Sequence, residues 1–292
     1  MNRLVEKATV VGGILVALVV GVVAGYFVGD YLGYERGREI GITWDGIVER
    51  GTILVASSPD WPPFEYLDPV TEEFAGFEVD IMEEVMSRLS EEENVTITVE
   101  WVSTPFGSIK EAIVAKTADL GVSGFSITPD RLEEVQFTCP HSITDAQILA
   151  LNATVATAGI PAEGLESVAD LVDYGLSCGV EGGTTQEEEL IAAGVTTVPF
   201  VDYWAAMDDM VAGGVDTVYA ETPVSYYWIE DYASQDPPIG MQIIFSRPYW
   251  PVGFMAHKGS DLLVEKISGI ISELHSEGWI DDKVAEYGMV YA

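Results

Sequence analysis

From residue 53 onward, short apolar runs alternate with stretches whose apolar residues recur at helical spacing. Runs rich in β-branched residues predict strands, and spacing at i, i+3 and i+4 predicts amphipathic helices. The predicted strands are 53–57, 95–102, 120–122, 176–180 and 197–200. The predicted helices are 79–89, one that contains Ile109 and Ile113, 184–190, and 261–277 with Gly278 as its stop. This alternation predicts an α/β fold whose sheets are mainly parallel and covered on both faces.

The longest apolar stretch precedes this pattern. Residues 8–29 carry no charge and are long enough to cross a hydrocarbon core of about 30 Å as a helix. We interpret the stretch as a retained single-pass anchor, because a cleaved signal peptide has a shorter apolar region and a small-residue cleavage site. Arg3 and Lys7 precede the stretch, which favours an N-terminus inside the cell and a binding domain outside. We therefore expect a short cytoplasmic segment at 1–7, a transmembrane helix at 8–29 and a stalk at 30–50.

Composition narrows the class of protein. The 292 residues include 48 acidic and only 13 basic side chains, and the formal net charge is −35. Such a chain does not bind nucleic acid by neutralising phosphates, because that mode needs Lys and Arg. A hydrophobic fraction of 48% excludes disorder despite the charge, and the length is typical of about two domains.

The sequence lacks the common catalytic and cofactor motifs. It contains no P-loop, no H-E-x-x-H and no G-x-S-x-G, and no G-x-G-x-x-G follows the first strand. His141, His257 and His275 are far apart without metal-ligand spacing, so we expect surface or packing roles for them. We expect no cofactor, no metal site and no catalytic residue. For Cys139 and Cys178 two interpretations stay open, one disulfide outside the cell or two buried thiols.

Polar residues precede two predicted helix starts. In the first, Thr128 is a good N-cap and Pro129 a good first helical residue. Arg131 then falls in the first turn, where the helix dipole disfavours a cation. Its position beside serine hydroxyls indicates an anion site, and a surface salt bridge is the alternative.

The second start is the segment 182–187 (GGTTQE). Thr184 and Glu187 have the spacing of a capping box, in which each side chain bonds a backbone N–H of the first turn. The two glycines before Thr184 let backbone N–H groups approach an anion. Capping alone accounts for the segment nearly as well as anion binding.

Five motifs follow one another in an order that resembles the family 3 extracellular solute-binding proteins, the receptors of polar amino-acid ABC importers. The motifs are SSPDWPPFEY, GFEVDIMEEV, GVSGFSITPDR, GVEGGTTQE and YAETPVSYY. The resemblance runs from about Gly51 to Gly288. It implies a two-lobed periplasmic-binding-protein-like fold of type II, with two hinge crossings and the ligand in the cleft. By position, lobe 1 is 51–146 plus 247–292 and lobe 2 is 147–246.

The resemblance also implies which residues hold the backbone part of an amino acid. Arg131 matches the arginine that grips the α-carboxylate, and its planar fork suits two parallel hydrogen bonds. Ser126 and Gly124 match positions that bond the carboxylate or the ammonium. Thr185, next to the capping residue Thr184, matches the carboxylate contact from lobe 2.

Further positions concern the ammonium and the side chain of the ligand. Trp61 and Phe106 match the aromatic residues that flank that side chain, with core packing as the alternative. Glu221 stands where the family usually has the aspartate that holds the ammonium. Glu181 falls where relatives place a side-chain contact, and Ser58 departs from an aspartate that many relatives carry.

Three functions are compatible with this scaffold. The leading hypothesis is a membrane-anchored receptor that captures a polar or basic amino acid and delivers it to ABC permease subunits. Some relatives of the family are dehydratases of cyclic amino-acid precursors, and Glu65, Glu181 or Glu221 could serve such an enzyme as acid or base. The third function is a sensory ectodomain, although about seven residues before the apolar stretch leave no room for an inward signalling domain.

The distribution of basic residues bears on the ligand. No Lys or Arg occurs between Arg131 and Arg247, so the inferred lobe 2 has no cation for a second carboxylate of a ligand. Burying such a charge unpaired costs several kcal/mol. We therefore rank glutamate and aspartate last. Since Ser58 replaces an aspartate, we rank neutral polar and basic amino acids together.

Overall fold

The structure is a computed structural model that describes residues 43–289. Its helices are α1 (Trp44–Arg50), α2 (Phe77–Glu93), α3 (Phe106–Val114), α4 (Pro129–Glu134), α5 (Asn152–Ala158), α6 (Asp170–Asp173), α7 (Thr185–Ala193), α8 (Tyr203–Ala212), α9 (Val224–Ala233), α10 (Asp261–Glu277) and α11 (Trp279–Glu286). Its strands are β1 (Thr52–Ser57), β2 (Asp60–Trp61), β3 (Glu65–Leu67), β4 (Phe74–Ala75), β5 (Thr98–Ser103), β6 (Leu120–Gly121), β7 (Val135–Phe137), β8 (Ser142–Leu151), β9 (Ser177–Glu181), β10 (Thr196–Phe200), β11 (Thr217–Glu221), β12 (Met241–Val252) and β13 (Met255–His257).

Two five-stranded sheets form the centres of the two lobes. The first has the order β5-β1-β6-β13-β7 and the second the order β10-β9-β11-β8-β12, while β2, β3 and β4 form a small separate sheet. The prediction of mainly parallel sheets is wrong. The pairs of β1 with β5 and β6, and of β9 with β10 and β11, are parallel. Strands β8, β12 and β13 pair antiparallel to their neighbours, because the chain passes from one lobe to the other and back through β8 and β12.

The hinge consists of those two long strands. β8 and β12 pair antiparallel, with Ala146 opposite Arg247 and Gln147 opposite Ser246. The register shifts twice along β12, between Ile243 and Phe245 and between Pro248 and Pro251. β-Bulges of this kind bend and twist a strand, which lets one strand serve two sheets. The lobe limits expected from the sequence, 146/147 and 246/247, face each other on this pair.

The apolar residues at helical spacing form the buried faces of the helices, as the sequence predicts. In α2, Ile81, Met82, Val85 and Leu89 are fully buried. Helix α10 spans the predicted residues and ends at Gly278, whose φ of +78° is the left-handed conformation that favours glycine. Helices α2 and α10, the two longest of the described residues, pack against each other.

The expected stalk at 30–50 is wrong for its last residues. Helix α1 begins with the hydroxyl of Thr43 accepting a hydrogen bond from the N–H of Gly46 at 3.1 Å. Trp44 is 3% exposed and donates its indole N–H to Glu93 at 3.1 Å, and Ile47 is fully buried. An amphipathic turn that inserts a tryptophan into lobe 1 is part of that lobe. Within residues 43–289 no helix is long and apolar enough to cross a membrane, and the predicted anchor at 8–29 lies outside the described residues.

The two cysteines are separate thiols. Cys178 is buried in lobe 2, and burial raises the pKa of its thiol to about 12. Cys139 is partly buried, and its backbone N–H donates to the hydroxyl of Ser268 at 2.9 Å. The interpretation as one disulfide is therefore wrong. The interpretation as two buried thiols is confirmed for Cys178 and only in part for Cys139, which is partly exposed.

Replacement of Trp44 by alanine tests the place of α1 in the core. We expect Trp44→Ala to lower the free energy of unfolding by about 3–5 kcal/mol, because it removes a buried indole and leaves a cavity. Urea unfolding followed by circular dichroism measures the loss. Leu262→Ala is the control, since Leu262 is 47% exposed and its loss should change stability by less than about 0.5 kcal/mol. Equal stability of the Trp44→Ala variant and the wild type would contradict the placement of α1 in the core.

Candidate functional site: an acidic cavity between the lobes

A cavity lies between the lobes. Residues of both lobes line it: Asp60, Trp61, Glu65, Phe106, Ser123, Gly124, Ser126 and Arg131 from lobe 1, and Glu181, Thr184, Thr185, Gln186, Tyr203 and Glu221 from lobe 2. Every residue that the sequence nominated for ligand binding is among them except Ser58. The carboxyl ends of β9 and β11 supply Glu181 and Glu221, which is where α/β sheets commonly hold ligands.

Arg131 enters the cavity from the first turn of α4. Thr128 caps this helix as predicted, and its hydroxyl accepts a hydrogen bond from the N–H of Arg131 at 3.3 Å. The guanidinium donates to the carbonyl oxygen of Ser126 at 3.0 Å. It also lies over two mutually stacked rings, 5.8 Å from the centroid of Phe106 and 5.4 Å from that of Phe125. These contacts fix the plane of the guanidinium, so Phe106 has a supporting role as well as a place in the cavity wall.

Glu221 faces the cavity from the end of β11. Its carboxylate accepts a hydrogen bond from Thr144 at 2.7 Å and another from the amide of Gln186. Burial raises the pKa of Glu221 to about 7, although these two donors and the charge of Arg131 oppose the rise. The carboxyl group is therefore poised to lose a proton near neutral pH when a cation approaches.

Asp60 and Glu181 bring two more carboxyl groups to the cavity, one from each lobe. Burial raises the pKa of both, and for Glu181 the charges of Asp60 and Asp202 raise it further. Among the described residues, no donor bonds Oδ2 of Asp60 or Oε1 of Glu181, and the two carboxyl groups lie close enough to share a hydrogen bond when one of them is protonated. Buried acceptors without donors are costly. The pair is thus complementary to a ligand group that carries positive charge and several N–H donors.

Ser58 lies behind the cavity wall instead of lining it. It is 5% exposed, and its backbone N–H donates to the hydroxyl of Ser123 at 3.2 Å. Its own hydrogen bond to Asp60 opposes the rise in the pKa of that carboxyl. Ser58 is therefore not among the residues that line the cavity, and its direct contact with a ligand stays a prediction. Asp60, two residues after Ser58, brings a carboxyl group to the cavity wall that sequence reasoning overlooked.

Trp61 and Gly124 form one wall of the cavity. The indole of Trp61 stacks on Phe64 with centroids 4.3 Å apart. Gly124 has φ of +59°, and a Cβ there would lie 1.8 Å from the ring of Trp61. Only glycine permits this approach. Trp61 therefore packs in the core and also lines the cavity, and its contact with a ligand side chain stays a prediction.

A buried network supports that wall from behind. Glu78 accepts hydrogen bonds from the N–H of Gly124 at 2.9 Å and pairs with the imidazole of His141 at 2.8 Å. Glu65 accepts from the hydroxyl of Ser123 at 2.9 Å, and burial together with the charge of Glu78 raises its pKa well above the usual value. The packing role predicted for His141 is confirmed. Its partner Glu78 was missed, because a buried pair 63 residues apart leaves no local signal in the sequence.

Capping fully occupies the hydroxyl of Thr184. It accepts from the N–H of Glu187 at 3.3 Å and donates to the carbonyl of Glu181 at 2.7 Å. The carboxylate of Glu187 bonds the N–H of Gly183 at 2.7 Å, one residue before the N-cap that the capping-box pattern predicts. The anion-binding interpretation of this turn thus rests on Thr185, which lines the cavity at the first position of α7.

Comparison with known proteins agrees with this architecture. A sequence profile of bacterial extracellular solute-binding proteins, family 3, matches residues 53–289. ABC transporter arginine-binding protein 1 of Escherichia coli K12 is 25% identical over 227 residues, which cover 76% of this chain and 84% of that protein. The lysine/arginine/ornithine-binding periplasmic protein of the same organism is 23% identical over 243 residues, 81% of this chain and 87% of that protein.

Solved structures show the same fold. An ancestral arginine-binding protein bound to arginine superposes with a TM-score of 0.69 at 25% identity, over 82% of this chain and 98% of its own. An ancestral amino-acid-binding protein described as a precursor of cyclohexadienyl dehydratase gives a TM-score of 0.69 at 23% identity, over 83% of this chain and 98% of its own. The profile match spans both lobes and the hinge, and this chain belongs to the family 3 extracellular solute-binding proteins.

Proposed function

We propose that this protein captures an amino acid with a cationic side chain in the interlobe cavity and delivers it to an ABC importer. The observation that carries the proposal is the charge of the cavity wall, where four carboxyl groups surround one guanidinium. The carboxyl groups belong to Asp60, Glu65, Glu181 and Glu221. The guanidinium is that of Arg131.

The α-carboxylate of the ligand fits Arg131. The guanidinium offers two parallel donors to a carboxylate, and the rings of Phe106 and Phe125 hold its plane. The first position of α7, Thr185, lies on the other side of the cavity, where the helix N-terminus also favours negative charge. A carboxylate placed between these groups contacts both lobes. Contacts to both lobes stabilise the closed form, since they are lost when the cleft opens.

The cationic groups of the ligand fit the carboxyl groups. The α-ammonium suits Glu221, whose pKa of about 7 allows it to ionise beside a cation. A guanidinium or ammonium on the side chain suits Asp60 and Glu181, because it supplies the donors that their buried oxygens lack. A neutral side chain supplies fewer donors and no compensating charge. We therefore place basic amino acids ahead of neutral polar ones, which the sequence alone ranked together.

Calorimetry with free amino acids tests this selectivity. We expect L-arginine or L-lysine to bind at least about tenfold more tightly than L-glutamine, a difference of about 1.4 kcal/mol. L-Glutamate and L-aspartate should bind most weakly, because the described residues that line the cavity offer no second cation to a second carboxylate. Tightest binding of glutamate or aspartate would contradict the proposal.

Variants of Asp60 and Glu181 test whether their carboxyl groups cause this selectivity. Asp60→Asn or Glu181→Gln should narrow the preference for arginine over glutamine by roughly tenfold, because each removes one charge that faces the cation. Glu163→Gln is the matched control, since it makes the same charge change at an exposed position of lobe 2 and should leave the preference intact. Mass spectrometry of the recovered ligand separates binding from turnover.

Catalysis on this scaffold is the second candidate. A dehydratase needs a general acid aimed at its leaving group, and Glu221 with its pKa of about 7 is the group that suits this task. Its two oxygens already accept hydrogen bonds from Thr144 and Gln186, so the side chain is fixed in lobe 2. We therefore favour binding over catalysis. A ligand recovered with the mass of a dehydrated product would favour the enzyme.

We also propose that residues 8–29 hold the protein at the outer face of the cell membrane. The support is the uncharged apolar stretch of 22 residues and the two basic residues, Arg3 and Lys7, before it. Between this stretch and Thr43, the N-cap of α1, residues 30–42 can act as a spacer. An anchored receptor stays close to the permease that it supplies.

Removal of residues 1–42 tests the anchor. The shortened chain keeps Thr43 and Trp44, so we expect unchanged affinity for arginine and recovery in the soluble fraction after cell lysis. The full chain should sediment with membranes and resist extraction by high salt, because a hydrophobic helix and not surface charge holds it. Recovery of the full chain in the soluble fraction with its N-terminal residues intact would contradict the anchor.

A further inference from the structure

The two lobes touch at the rim of the cleft through glycine backbone. Gly107 is the second residue of α3 in lobe 1, and Gly182 and Gly183 form the turn between β9 and α7 in lobe 2. A Cβ on Gly107 would lie 3.1 Å from the carbonyl oxygen of Gly182, and a Cβ on Gly183 would lie 2.9 Å from Cα of Gly107. Both distances are shorter than ordinary van der Waals contact, so a side chain at either position would push the two backbones apart.

The contact lies beside the ligand cavity. Phe106 and Thr184, the chain neighbours of Gly107 and Gly183, both line the inner cavity. Gly107 and Gly183 themselves line a second cavity, which Arg131 and Phe106 also border. The glycine contact therefore lies where the ligand cavity meets the outer one. Separation of the two backbones here would join the two spaces.

The local structure of lobe 1 does not require glycine at position 107. Gly183 has φ of +84°, which favours glycine in any case, whereas Gly107 lies in α3 without a positive φ. The only atoms outside its own helix that a Cβ on Gly107 would meet within 4 Å belong to Gly182. Glycine is a poor helix former. Its presence in α3 is explained by the approach of lobe 2 and by no contact within lobe 1.

We propose that Gly107 is a positioning residue that determines how far the cleft closes. Its missing side chain lets α3 approach the Gly182–Gly183 turn until the backbones touch, and this approach brings Arg131 and the lobe 2 carboxyl groups around one ligand. A side chain at position 107 holds the lobes apart and leaves the closed complex incomplete. The inference rests on ligand capture between the lobes but not on which amino acid is captured.

A graded series at position 107 tests this role, with L-arginine as the probe. Gly107→Ala should raise Kd about threefold and Gly107→Leu more than about tenfold, mainly through a faster dissociation rate, as is usual for changes at one interface. The ligand-free melting temperature should stay equal or rise slightly, since alanine and leucine are better helix formers than glycine. Small-angle X-ray scattering should show a smaller decrease in the radius of gyration on arginine binding for Gly107→Leu than for the wild type.

Gly269→Ala is the control, because a Cβ on Gly269 in α10 meets nothing within 4 Å. It should leave Kd, the dissociation rate and compaction unchanged. The inference would be overturned if Gly107→Leu had the same Kd and dissociation rate as the wild type. It would also be overturned if the loss of affinity were accompanied by an equal loss of stability of the ligand-free protein. If Gly107→Leu fails to fold, that outcome also counts against the inference, and Gly107→Ala carries the affinity test. A wild type that binds none of the common amino acids would overturn the proposed function instead.

Discussion

Burial places four carboxyl groups around a single guanidinium in the cleft, where bulk solvent stabilises their charges less than at the surface. Burial raises the pKa of Asp60, Glu65, Glu181 and Glu221, so each of them keeps its proton to a higher pH than an exposed carboxyl group does. A ligand that brings positive charge replaces those protons and satisfies the unpaired oxygens. Affinity, selectivity and lobe closure then all depend on how well the positive charge of the ligand compensates the buried carboxyl groups.

Hydrogen bonds hold the carboxyl groups of the cavity wall in place, and the two hinge strands β8 and β12 allow the lobes to move. On the lobe 1 side, Glu78 ties the backbone of Gly124 to His141, which lies one residue before hinge strand β8. On the lobe 2 side, Thr144 of the same strand fixes Glu221. The cavity wall on both sides is therefore connected directly to the hinge. The bulges of β12 provide the bends that let the pair of strands serve both lobes.

The sequence predicted the features that depend on neighbouring residues, such as amphipathic helices and helix caps. Apolar spacing located α2 and α10, the cap at Thr128 located α4, and the ordered motifs identified the cavity residues that come from helix starts and strand ends. Long-range features escaped the sequence. The antiparallel return through β13, the burial of Trp44 against lobe 1 and the pair of Glu78 with His141 all depend on contacts between distant segments. Asp60 was missed because the motif drew attention to Ser58, two residues earlier.

Proton release on binding is the measurement that tests the central claim most directly. Calorimetry of L-arginine binding at pH 7, repeated in buffers of different ionisation enthalpy, gives the number of protons exchanged. Since the pKa of Glu221 is about 7 before the ligand binds and falls beside a cation, about half a proton or more should be released at pH 7. Affinity should accordingly rise as pH increases from about 5 to 8. Binding with no proton exchange, or with proton uptake, would contradict the view that the ligand neutralises a protonated acidic cavity.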